Sequence, residues 1–105
     1  MKRQSYDGVV LAAPVTIPYT RYSTETAHYW IARALRETLR AAGLNPAELD
    51  GFSVASFTLF PDTPVGLTQH LGLSPRWLDT IPMGGASGVA ALRRAARAVQ
   101  AGDAD

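Results

Sequence analysis

The residues best placed to do chemistry lie near the end of the chain, in Pro82-Met83-Gly84-Gly85-Ala86-Ser87-Gly88. This glycine-rich stretch precedes an alanine- and arginine-rich segment of helical periodicity, so it reads as a strand that ends in a tight loop and opens directly into a helix. The first amides of such a helix lack intrahelical partners and the dipole is positive there. The loop can therefore stabilise an anion or a developing oxyanion. Glycine also permits backbone angles closed to other residues and lets a ligand approach the main chain. The motif is not a P-loop, because no Lys-Ser/Thr follows, and it is not Gly-x-Gly-x-x-Gly. A tight turn that needs small residues to pack helix on strand is the plainer alternative.

Other polar side chains are weaker candidates. Ser87 reads first as a helix cap. Tyr19 and Tyr22, in a loop rich in Pro and Thr, could supply an acid/base phenol, but packing on a neighbouring sheet is the simpler reading. His28 and His70 are far apart, without a carboxylate at ligand spacing, so no metal site is expected. His70, near a helix end, reads as a dipole contact. Arg93, Arg94 and Arg97 form either a phosphate-binding face or a solvated one. Trp30 reads as a core or interface anchor.

Composition narrows the choices. The 105 residues are 47% hydrophobic and 18% charged, enough apolar material for a core and too little charge for disorder. A net charge of +1 provides no global field for nucleic acid or an anionic membrane. Cysteine is absent, which removes disulfides, thiolate zinc sites, iron–sulfur clusters and a cysteine nucleophile. No apolar run is long enough to span a membrane, and a signal peptide is not expected, so the reading is a cytoplasmic protein.

The elements that must position the loop are legible from periodicity. Val9-Val10-Leu11-Ala12-Ala13 predicts a strand buried on both faces. A helix capped by Ser23 or Thr24, with Glu25 in its first turn, runs to Gly43, burying Ala27, Trp30, Ile31, Ala34, Leu35, Thr38, Leu39 and Ala42. Asn45-Pro46-Ala47-Glu48 predicts a single helical turn. A strand follows over Gly51–Phe57, a short helix over Pro64–Leu71 stopped by Gly72, and a strand over Trp77–Ile81. The last helix places Leu92, Ala95, Ala96 and Val99 inward and ends at Gly102. The order β-α-β-α-β-α implies an α/β fold with a mostly parallel sheet. Because Asp103-Ala104-Asp105 follows a helix stop, where another strand is due, residues 1–105 are expected to be the front part of a longer domain.

Read end to end, the chain resembles the N-terminal part of a thiolase. It is most similar to the sterol-carrier/lipid-transfer-protein-associated branch that includes acetyl-CoA acetyltransferases. The likeness rests on the opening strand with Ile17-Pro18-Tyr19-Thr20-Arg21-Tyr22-Ser23, on Ala41-Ala42-Gly43-Leu44-Asn45-Pro46-Ala47-Glu48-Leu49-Asp50-Gly51, on Leu71-Gly72-Leu73, and on residues 84–105. The resemblance implies a coenzyme A thioester as substrate, with no bound cofactor. It also implies a dimer or hetero-oligomer, with a small OB-fold protein as a partner. The family's Cys-x-Ser-Gly aligns with Gly85-Ala86-Ser87-Gly88, which puts Gly85 at the position of the acylated cysteine. Without a nucleophile no acyl-enzyme forms there. The resemblance then points to the aldolases that split β-hydroxyacyl-CoA thioesters in steroid degradation, with a non-catalytic scaffold as the alternative. The family's catalytic histidines and second cysteine belong to a later half, so these 105 residues alone are expected to be inactive.

Overall fold

The computed structural model describes residues 5–56, 59 and 62–105. It is a small mixed α/β arrangement built on a two-stranded parallel sheet. The elements are helix α1 (Ala27–Ala42), a single turn at Pro46–Glu48, strand β1 (Gly51–Val54), helix α2 (Pro64–Leu71), strand β2 (Trp77–Thr80), a turn at Gly84–Ala86, and helix α3 (Ser87–Ala101). Gly51 pairs with Trp77, Phe52 with Leu78, Ser53 with Asp79 and Val54 with Thr80. Asp50 extends the ladder at one end, its carbonyl accepting from the Arg76 and Trp77 amides, and the Ile81 amide closes the other on Val54.

Helix boundaries follow local chemistry. All three long helices end at a left-handed glycine, Gly43, Gly72 and Gly102, where a side chain would strain the backbone. At Asn45 the backbone N–H donates to Glu48 Oε2 at 2.7 Å, as the Asn-Pro-x-Glu spacing predicts. α2 starts with Thr63 Oγ1 accepting from the Gly66 amide at 3.1 Å, with Pro64 as its first residue.

The sheet alternates between two environments, as side chains on a strand must. Val54 joins Leu59 and the fully buried Leu67 in a core, with Ile31, Phe52 and Leu71 packed around it. Gly51, on the alternate face of β1, lies against Ala104 and Trp77. A Cβ at Gly51 would stand 3.0 Å from the Ala104 Cβ. The buried Ala104 therefore returns the chain beside the start of β1, and the Asp105 amide donates to Asp50 Oδ2 at 3.0 Å.

Four expectations need correction. The run Val9–Ala13 forms no strand, so among the described residues the order is α-β-α-β-α rather than β-α-β-α-β-α. Val10 and Leu11 are 85% and 77% exposed, and Ala13 has φ 52°, which breaks an extended run ahead of Pro14. α1 begins at a different cap. Ser23 Oγ accepts from the Glu25 amide instead, the N-cap is Thr26, whose Oγ1 accepts from the Tyr29 amide, and Glu25 lies outside the first turn. β1 stops at Val54, and Phe57, the predicted end of that strand, lies outside the described residues. Ala42, expected inward on α1, is exposed.

Candidate functional site

The glycine loop lies at the carboxyl ends of both strands, the end of a parallel α/β sheet at which ligands commonly bind. A cavity of about 570 Å³ is lined by Ala55 and Ser56 after β1, by Ile81 and Pro82 after β2, and by Gly84, Gly85, Ser87 and Gly88. A short turn at Gly84–Ala86 precedes α3, and it consumes amides that a bare helix start would leave free. Ala86 donates to the Met83 carbonyl and Ser87 to that of Gly84. The Gly84 and Gly85 N–H groups take no hydrogen bond among the described residues and remain available to an anion. Gly84 has φ 59°, a conformation that favours glycine. Gly85 does not need to be glycine, since a Cβ there would meet nothing within 4 Å.

Ser87 is buried, but it is neither a cap of the expected kind nor a free nucleophile. Its hydroxyl accepts from the Met83 amide and donates to the Ile81 carbonyl, both at 3.0 Å. Those two bonds hold the entry and exit of the loop together, so the serine positions the loop. Tyr19 and Tyr22 do not join the cavity, nor do they pack on the sheet. They are 95% and 81% exposed, with Arg21 lying 5.4 Å over the Tyr22 ring. Trp30 is half-buried, edge-on to Tyr29, with Arg33 over its face.

A second cluster was invisible in the sequence. His28 Nε2 lies 2.6 Å from Asp62 Oδ2, across 34 residues of chain, and the His70 ring stands edge-on to His28 at 5.2 Å. His70 thus has an aromatic neighbour as well as its place in the last turn of α2. Asp62 lies over the first turn of α2, where a side chain at Gly66 would collide with its carboxylate, and it also accepts from the Thr63 amide. The pair ties the start of α1 to the start of α2 beside an open groove that includes Thr20, Ser23 and Thr26. Among the described residues no group of His, Asp and Glu is arranged to hold a metal ion.

Two carboxylates carry a pH signature. The His28 imidazole, followed by the Thr63 amide, holds Asp62 below the usual carboxylate range. The Arg76 guanidinium, followed by the Asp105 amide, does the same for Asp50. Groups with lowered folded pKa values stabilise above their unfolded values and lose that stabilisation as pH falls through the folded ones. The urea midpoint is therefore expected to fall as the pH drops below about 3.9. Asp62→Asn should make that acid limb shallower, and an unchanged limb would exclude the His28–Asp62 pair as a contributor.

Comparison with protein families, curated proteins and solved structures finds no match. Among the described residues no helix is long and apolar enough to cross a membrane.

Proposed function

We propose that this chain is the N-terminal part of a thiolase-like protein acting on acyl-CoA thioesters, of the cysteine-less, aldolase-like kind. The observation that carries the reading is the pair of uncommitted amides at Gly84 and Gly85, set in a cavity at the ends of two parallel strands. In a retro-aldol cleavage a base takes the β-hydroxyl proton and the Cα–Cβ bond breaks toward the thioester. The resulting enolate oxygen is the charge that two such amides stabilise, and reprotonation at Cα yields the shorter acyl-CoA and a carbonyl product. No covalent acyl group is required, which accords with glycine at position 85. The cavity lining holds no titratable side chain, so the base is supplied from outside it.

A non-catalytic assembly subunit is the second reading. Met83, Val89 and Leu92, close in sequence to the loop, are 55%, 75% and 51% exposed, an apolar surface of the kind that joins subunits. Titration with a β-hydroxyacyl-CoA, followed by backbone amide resonances, separates the two. The catalytic reading expects saturable shifts centred on Gly84–Gly88. Their absence would overturn it in favour of the scaffold.

A further inference from the structure

We infer that the groove between β2 and α3 is a binding site for a phosphorylated purine nucleoside, stacked on Trp77 and held through its phosphate by Arg93. This inference is independent of the reading of the glycine loop. The groove, of about 610 Å³, has Trp77 and Asp79 on the β2 side, and Ala90, Arg93, Arg94 and Arg97 on the α3 side.

Two of its lining groups are uncommitted among the described residues: the Trp77 indole, with no ring or cation stacked on it, and the Arg93 guanidinium. Trp77 stands opposite Gly51 in the sheet register, and its ring edge lies 3.4 Å from where a Cβ of Gly51 would be. The missing side chain lets the indole pack on the strand while it also lines the groove. The small residues Ala90, Ala98 and Ala101 keep the α3 wall open. Arg94 is committed to Asp79, with Nη1 at 3.2 and 3.3 Å from the two carboxylate oxygens. Arg97 is committed to the Ser5 carbonyl and Gln100 and lies 4.0 Å over the Tyr6 ring. Arg93 is exposed and has neither ion pair nor hydrogen bond among the described residues. Three arginines against Asp79 and Asp103 leave the lining with an excess positive charge. An indole and an uncommitted guanidinium lining one groove match a ligand that carries a π face and an anion on one molecule.

The phosphate-bearing purine could come from a free nucleotide or from the nucleotide end of coenzyme A, and the probes distinguish the two. ADP, coenzyme A, adenosine and inorganic phosphate are titrated separately while the Trp77 indole N–H and the α3 amides are followed. ADP should give saturable shifts confined to Trp77 and α3. Arg93→Ala, at an exposed position, should weaken ADP about tenfold, as expected for one lost charge-assisted bond, and leave adenosine unchanged. Tighter binding by ADP than by coenzyme A supports the free nucleotide, and the reverse order supports the coenzyme. Absence of a saturable shift, equal binding of phosphate and ADP, or insensitivity of ADP to Arg93→Ala would each overturn the inference.

Discussion

Leu67→Ala is expected to cost about 3 kcal/mol of folding stability, within the usual range for deleting a buried leucine side chain. Leu67 is fully buried and sits with Val54 and Leu59 at the junction of β1 and α2, with Ile31 and Phe52 around it. Among the described residues the sheet has two strands and the core cluster few members, so few neighbouring side chains can move in to close the cavity. Small domains have total stabilities near the lower end of about 5–15 kcal/mol. The loss should therefore remove a large share of the urea midpoint. Leu92→Ala supplies the contrast, because Leu92 is 51% exposed and should change stability by less than about 0.5 kcal/mol. Comparable losses at the two positions would contradict the assignment of the core to the α1–α2 side of the sheet.

That contrast also marks where sequence patterning reached its limit. Periodicity places Leu92, Ala95, Ala96 and Val99 inward on α3; Ala95, Ala96 and Val99 are half-buried, whereas Leu92 is turned outward and the most buried positions are Ser87 and Ala98. Periodicity sets the apolar side of such a helix only to within a residue or so, and tertiary packing decides which of its edge positions is covered. Features set by backbone rules were legible residue by residue. The left-handed stops at Gly43, Gly72 and Gly102, the Asn45–Glu48 turn, and α2 with Pro64 at its start all follow from local chemistry.

Features that depend on distant partners were not legible. Val9–Ala13 has the composition of a strand, but a strand also needs an edge to pair with, and no local pattern specifies one. The sequence offers Ser23 or Thr24 as the α1 cap, but Ser23 accepts from the Glu25 amide and the cap is Thr26, which accepts from the Tyr29 amide. The His28–Asp62 pair joins residues 34 positions apart and left no signal beyond two residue types capable of pairing. The glycine loop was found because its signal is local, while the way Ser87 holds it became visible only once Ile81 and Met83 were in place.

Gly85→Cys carries the largest expected effect on reactivity. A Cβ at position 85 meets nothing within 4 Å and the position has no positive φ, so the substitution should fold without loss of stability. The native chain has no cysteine, so the introduced thiol would be the only one. It would stand in the turn leading into the fifteen-residue α3, beside the uncommitted amides of Gly84 and Gly85. Uncommitted amides and the positive end of a helix dipole close to a thiol favour the thiolate, and alkylation by iodoacetamide at neutral pH should run about tenfold faster than for free cysteine. The chemistry proposed for the native loop needs the same property, stabilisation of a negative charge at that point.

The pH dependence of that alkylation tests the central claim most directly. The rate should follow a thiol that ionises clearly below the ordinary value of about 8.5, and added β-hydroxyacyl-CoA should slow it by occupying the loop. A thiol that ionises at or above the ordinary value, with a rate indifferent to the thioester, would contradict the assignment of this loop as an anion-stabilising site.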